Sequence, residues 1–444
     1  MFRLDPILRT ARRSPLLLVL LAALLVAPGC GSEDGGGGGN ATADAGGQDG
    51  AGAADGTAAA DGVSGDGGSG GAGDAGSSDA TAGDAADGPA VYPIGVTTIE
   101  IVGASGRKLP VEIWYPAKPA PGSQAAKYAG GLASSPFGAV RDTAPEVPPS
   151  AKGWPLVVFS HGNGGIREQS VFLTEWLARN GFVVASPEHV GNSIFTMDES
   201  LTAVMPLWRP LDVKATVDHL AAGPSGKDPA FLQGLADTDS YAMMGHSFGG
   251  FTTLAISGFK VRVPPQFKLD CSSVEAPKAL CDEIADMGPQ PWDLHDPRCK
   301  VGVPLAPAGY GWQMLEKLEG DEKLPPLFIM GATGDKLTPS ATEQTPVFED
   351  LPGVGALLLI TGSNHYVFSD ICALEKVLPA SFKAQLGDMC SPNTQPPLAE
   401  VHAEVADRAL AAARYWLLDD KSAEQALTAP AKAWFTLQTK GFGN

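Results

Sequence analysis

From Thr98 onward, continuous apolar runs alternate with stretches that repeat apolar residues at helical spacing, which leaves few architectures open. The runs are Thr98–Val102, Val111–Tyr115, Leu156–Ser160, Phe182–Ser186, Tyr241–Met244, Val301–Leu305, Leu327–Met330 and Ala356–Ile360. The later runs show no polar alternation, as is usual for strands covered on both faces of a parallel sheet. Between the runs, Phe172, Leu173, Trp176 and Leu177 form a helical stripe with Gly181 as its C-terminal cap. Val213, Val217 and Leu220 form a second stripe, and Val401, Val405, Ala409, Ala412 and Trp416 line a last helix. This pattern predicts an α/β domain with a mostly parallel sheet and helices on both faces. The first two strands, with the Pro- and Gly-rich stretch between Ala117 and Trp154, are expected to form an antiparallel edge. Gly258–Lys300 and Tyr366–Pro397 break the repeat and read as insertions.

The N-terminal part of the chain is of a different kind. Met1–Arg13 carries four Arg, and the apolar run Leu16–Val26 and Ala27-Pro28-Gly29-Cys30 follow. A basic start, a short apolar run and small residues before a cut describe an export signal. The run is shorter than the ~20 residues of a membrane span. A Cys directly after the small residues resembles the bacterial lipobox, which implies that Cys30 becomes an acylated first residue anchoring the protein at the cell envelope. Residues 31–90 hold 21 Gly, 16 Ala and 10 Asp, with no Lys or Arg. Such a stretch buries too little apolar surface to offset its ordering entropy and is expected to be a disordered linker, with a reach of roughly 40 Å. The expected organisation is therefore 1–30 signal, 31–90 linker and 91–444 the folded domain in which the function lies. Of the net charge of −19, residues 1–30 carry +3 and 31–90 carry −11, which leaves −11 on 91–444. A domain that acidic, with no basic stripe, is not expected to bind nucleic acid.

Besides Cys30 the chain has Cys271, Cys281, Cys299, Cys372 and Cys390. An exported compartment permits disulfides. Cys372 and Cys390 make a natural local pair, two of the first three make another, and one is left over. No His/Cys spacing suggests a metal site.

The run Tyr241–Met244 leads directly into Gly245-His246-Ser247-Phe248-Gly249-Gly250, and a helical stretch from Thr252 to Ser257 follows. G-x-S-x-G between a strand and a helix is a tight turn that lifts a serine hydroxyl clear of the sheet. A serine needs an adjacent base, and the base needs a carboxylate to orient it. Asp335 follows the run Leu327–Met330, and His365 follows Ala356–Ile360, in the chain order Ser, acid, His. Of the seven His, only His365 follows a strand downstream of the acid. The oxyanion of an acyl-transfer intermediate requires two donors. One is the amide of Phe248. The other is expected from the glycine-rich loop His161-Gly162-Asn163-Gly164-Gly165, with Asn163 the first choice and Gly164 the second. This chemistry calls for neither a cofactor nor a metal.

Tyr92-Pro93-Ile94-Gly95-Val96, Val111-Glu112-Ile113-Trp114-Tyr115-Pro116, Phe159-Ser160-His161-Gly162 and Gly245-His246-Ser247-Phe248-Gly249-Gly250 resemble bacterial α/β-hydrolases related to platelet-activating factor acetylhydrolase and dienelactone hydrolase. The resemblance spans essentially all of 91–420. It implies the α/β-hydrolase fold with an eight-stranded sheet and a metal-independent serine esterase acting on short-chain or oxidised acyl esters, a small ester or lipid being the substrate. In the acetylhydrolases proper the acid follows the sixth strand. Here Val301–Gly309 has no carboxylate, and Asp335 stands where other members carry theirs.

Phe195–Trp208 is apolar and reads either as a lid over the strand ends or as core packing. Trp208, Tyr310 and Trp312 are the candidate pocket residues. The alternative functions are other acyl chemistry on the same triad (amidase, polyester hydrolase or a dienelactone-hydrolase-like enzyme) and a catalytically silent, surface-anchored binding module.

Overall fold

The apolar runs close into one twisted sheet. A computed structural model describes residues 91–263, 271–272, 278–320, 322–374, 390, 396–430 and 432–442. The signal-like segment with Cys30 and the 31–90 stretch lie outside the described residues. The strands are β1 (Ile94–Val102), β2 (Lys108–Pro116), the small hairpin β3 (Lys127–Tyr128) and β4 (Ala133–Ser134), β5 (Val140–Arg141), β6 (Trp154–Ser160), β7 (Val183–Pro187), β8 (Ala236–His246), β9 (Cys299–Leu305), β10 (Leu327–Ala332), β11 (Gly355–Ile360) and β12 (Phe435–Lys440). The main sheet has ten strands in the order β12-β11-β10-β9-β8-β6-β7-β2-β1-β5. Eight of them are the runs visible in the sequence, and β5 and β12 extend the sheet at its two ends. β12 alternates polar and apolar residues and pairs antiparallel with β11, as a half-exposed edge strand does. The antiparallel β1–β2 pair stands near the opposite edge, with the two residues of β5 outside it.

The six strands from β7 to β11 in that order are parallel. The chain leaves β6 for β7 on one side and returns to β8 on the other side of β6. In open α/β sheets, the crevice beyond the carboxyl ends at such a reversal is where ligands bind. The serine motif follows β8 and the glycine-rich loop follows β6, and Ser160 of β6 pairs with Gly245 of β8.

Both faces of the sheet are covered. Val157 and Phe159 of β6 share a core cluster with α1 (Val171–Arg179), while the alternate residues Leu156 and Val158 share another with Val213 and Val217 of α2 (Met205–Ala222). β8 divides the same way, Ala242 and Met244 against Tyr241 and Met243. Each of these side chains is fully buried and is worth about 2 kcal/mol of transfer free energy for the larger aliphatic ones. Next come α3 (Phe248–Ile256), α4 (Lys278–Met287) and α5 (Gln344–Asp350), and α6 (Leu398–Ala412) joins α1 on the first face. Gly181 takes φ +89° just beyond α1, the left-handed conformation that its capping role requires.

The stretch Phe195–Trp208 divides. Met205, Leu207 and Trp208 form the first turn of α2 and are buried in the core, whereas Phe195 is exposed. The core reading therefore holds for Trp208 and its neighbours. Cys271–Cys281 and Cys372–Cys390 are disulfide-bonded, and Cys299 is the buried free thiol.

Candidate active site

Ser247 sits between β8 and α3 with φ +60° and ψ −115°. A non-glycine residue held there stores about 1–3 kcal/mol of strain, which the surrounding structure must sustain. The flanking glycines make the turn possible. A Cβ on Gly249 would lie 1.8 Å from the Ser160 carbonyl oxygen, and one on Gly245 would lie 2.4 Å from the Gly249 oxygen. The Ser247 amide donates to the Leu305 carbonyl at 2.8 Å, which ties the turn to the end of β9.

Asp335 and His365 lie on the loops after β10 and β11, and the structure brings them together. His365 Nδ1 stands 2.7 Å from Asp335 Oδ2, both side chains being almost wholly buried. The other carboxylate oxygen, Oδ1, accepts the amides of Leu337 and Thr338 at 2.8 and 2.9 Å, and the Thr338 hydroxyl donates to Oδ2 at 2.7 Å. Burial acts to raise the Asp335 pKa, but its bonds to His365 and Thr338 together outweigh that and hold it below the usual carboxylate range. An ionised Asp335 keeps the ring proton on His365 Nδ1 and leaves Nε2 free to accept one. The Ser247 hydroxyl makes no hydrogen bond among the described residues. Such a bond commonly tightens only when substrate arrives.

His246, the variable residue before Ser247, holds His365 in place. Its Nε2 donates to the His365 carbonyl at 2.9 Å, and its Nδ1 accepts from the Gln169 amide at 2.7 Å. Burial, with the adjacent His365, pushes its pKa down to about 3, so it stays neutral. Gln169 Oε1 accepts the Gly162 amide at 2.8 Å. One polar chain therefore runs from the glycine-rich loop through Gln169 and His246 to His365. On the same side, the Asp370 carboxylate accepts the Phe172 amide at 3.1 Å, and Ser170 Oγ donates to the Phe368 carbonyl at 2.9 Å. These bonds fasten the His365 segment to the start of α1.

The donor groups are also positioned. Phe248 is the first residue of α3, so its amide has no acceptor within the helix and stands at the positive end of the helix dipole. A Cβ on Gly162 would lie 3.4 Å from Ser247 Cβ, which places the glycine-rich loop beside the serine. Gly164 donates its amide to the Asn192 carbonyl at 3.1 Å. The Asn163 amide makes no hydrogen bond among the described residues. The Asn163 side chain is held through its Oδ1, which accepts from Asn192 Nδ2 at 2.7 Å.

The three pocket candidates separate. Trp208 is buried, with its indole N–H on Glu283 at 2.6 Å and the Arg107 guanidinium 4.4 Å above its ring. Tyr310 is buried too and donates its hydroxyl to Asp350. Trp312 is 49% exposed. The Tyr310 and Gly311 amides converge on Glu343 Oε2 at 2.8 and 3.1 Å. Glu343 is itself buried, and desolvation drives its pKa up to about 7 against the backbone donors that lower it. Between the ordinary value of 4.5 and about 7 the folded chain holds a proton that the unfolded chain has lost, so stability falls as pH rises through that window. Glu343→Gln keeps an oxygen for the two amides and removes the buried charge. It is expected to raise stability to urea at pH 8 by about 2 kcal/mol, with little gain near pH 4. A gain of equal size at both pH values would contradict the assignment.

Gln169, Asn192, Thr338 and Asp370 were not singled out from the sequence. Only Thr338 left a local trace, three residues beyond the acid.

The ten-stranded, mostly parallel sheet with helices on both faces has the α/β-hydrolase fold. The family model described as platelet-activating factor acetylhydrolase, isoform II, matches residues 130–202. The fold is similar to that of a ferulic acid esterase from Streptomyces cinnamoneus, with a TM-score of 0.54 and 19% identity over 79% of this chain and 98% of that one.

Proposed function

We propose that the protein is an exported serine esterase that cleaves short-chain or oxidised acyl esters through an acyl-enzyme. Ser247 Oγ attacks the ester carbonyl while His365 Nε2 takes its proton. The tetrahedral oxyanion accepts hydrogen bonds from the Phe248 and Asn163 amides. The C–O bond to the leaving group then breaks, and His365 returns the proton to the departing alkoxide. A water, deprotonated by His365, attacks the acyl-Ser247 ester, and its collapse releases the carboxylic acid and restores the serine. Asp335 holds the imidazole in its working tautomer and stabilises it when charged.

The observation that supports this reading most is the His365–Asp335 pair at 2.7 Å, whose carbonyl end is bonded to the residue before a serine held at φ +60°. Of the two oxyanion candidates on the glycine-rich loop, Asn163 is preferred because the Gly164 amide is committed to Asn192. The export reading rests on the signal-like N-terminus with Cys30 as the acylated residue, and two disulfides suit an oxidising compartment. A membrane is then the partner of the lipid anchor, with the linker as tether.

The test is hydrolysis of p-nitrophenyl esters from acetyl to palmitoyl, with methyl ferulate in parallel. Activity that falls as the acyl chain lengthens is expected. A preference for long chains would overturn the short-acyl assignment, and no activity on any ester from folded protein would overturn the esterase reading.

A further inference from the structure

Arg209 lies in the second turn of α2 with its guanidinium fully buried. No carboxylate forms an ion pair with it among the described residues. Asp212, one turn on, instead gives its oxygens to Arg107 at 2.6 Å, the Ala104 amide at 3.0 Å and His189 Nδ1 at 2.9 Å. Burying a cation without a contacting anion is costly, so the groups that do receive its protons are informative. Arg209 Nη1 donates to Asn192 Oδ1 at 2.6 Å, and Nη2 donates to Ser160 Oγ at 3.1 Å and to the His161 carbonyl. Nε donates to Thr252 Oγ1 at 3.3 Å, and the guanidinium carbon stands 4.6 Å from the centre of the Phe248 ring.

Each of these partners leads to one wall of the proposed oxyanion hole. Asn192 holds the Asn163 side chain through its own Nδ2 and takes the Gly164 amide on its carbonyl. His161 opens the glycine-rich loop. Thr252 passes the chain onward, donating to the Phe248 carbonyl at 2.9 Å. A single planar fork therefore reaches both the loop after β6 and the first turn of α3, within one residue of each donor amide. Lysine has the charge but not the fork.

We infer that Arg209 is the positioning residue of the oxyanion hole: it sets the spacing between the Asn163 and Phe248 amides and places a fixed positive charge behind the developing oxyanion. This inference rests on the esterase reading above. It predicts that Arg209 acts on the tetrahedral state and little on ground-state binding.

The test compares the full chain with Arg209→Lys and Asn192→Ala. A fluorophosphonate titrates reactive Ser247, so that kcat is expressed per competent site. A trifluoromethyl ketone, which forms a tetrahedral adduct on the serine, reports oxyanion stabilisation. In both variants kcat per titrated site is expected to fall about 100-fold, with KM changed less than about threefold, the scale of a small misplacement at a reacting centre. Ketone affinity should fall by a similar factor, and the double variant should lose little more than the worse single one, because the two residues act in one chain. If Arg209→Lys does not fold, Asn192→Ala carries the test alone. Unchanged kcat per titrated site, with only fewer competent sites, would mean that Arg209 is merely structural and would overturn the inference. Wild-type protein that neither reacts with the fluorophosphonate nor hydrolyses an ester would overturn the esterase reading itself, and this inference with it.

Discussion

Ser247→Ala is expected to lower kcat on short-chain esters on the order of 10⁶-fold, the scale of losing a nucleophile from a cooperating triad. The backbone at this position should survive the change. Alanine meets the same positive-φ strain as serine, and the turn is set by Gly245, Gly249 and the amide bond to Leu305, none of which uses the hydroxyl. The Ser247 hydroxyl makes no bond among the described residues, so its removal leaves none of their polar groups unpaired. Thermal unfolding and circular dichroism should therefore match the wild type while turnover and fluorophosphonate labelling disappear. A folded alanine variant that keeps more than roughly one part in a thousand of the activity would remove Ser247 as nucleophile, because background catalysis by a triad-deficient site lies below that level.

The second large effect is expected from Asp335→Asn, at about 10⁴-fold in kcat with nearly unchanged stability and KM. The reason lies in how the carboxylate is used. Oδ1 already accepts two amide protons, from Leu337 and Thr338. An asparagine must keep its oxygen there, so its NH₂ group faces His365 Nδ1. Nδ1 then becomes an acceptor, the ring proton moves to Nε2, and the ring cannot take the proton of Ser247. Asp335→Ala, by contrast, frees Nδ1 and is expected to retain more activity than the asparagine variant if tautomer control is the main function of the carboxylate. The comparison of the two kcat values decides the point, and an asparagine variant equal to wild type would remove Asp335 from the reaction.

The groups of the proposed triad were legible because each stands where a local pattern ends. Ser247, Asp335 and His365 follow apolar strands, and a place after a strand downstream of the acid separates His365 from the other histidines. The glycine-rich loop was legible for the same reason. Its choice between Asn163 and Gly164 was not, because the Gly164 amide is taken by Asn192, a residue of the loop after β7. The supporting residues were also hidden. Gln169 meets His246 across 77 residues of chain and Asp370 meets the Phe172 amide across 198, distances over which no periodicity carries information.

The start of α2 shows a different failure. Pro206 suits a helix's first turn, but Pro210 lies inside the same helix, where proline ordinarily interrupts one. The stretch Phe195–Trp208 read as a lid or as core packing from its apolar residues alone, which carry no mark of where the helix begins. Trp208 is in fact inside the helix and buried, and Arg209 beside it is the lone cation in an apolar stretch. The two edge strands escaped for lack of length in β5 and of continuous apolarity in β12.

By itself, the sequence determined the alternation of strands and helices, the elbow at Ser247 and the order of the three groups at the strand ends. All of these follow from side-chain periodicity and from the small residues that flank Ser247 in the G-x-S-x-G motif. Only the tertiary structure decided which amide on the glycine-rich loop is free and which buried cation stands behind it. Those outcomes depend on β6 lying beside β8 with α2 packed across their ends, and the hydrogen bonds that express them join residues that no local rule relates.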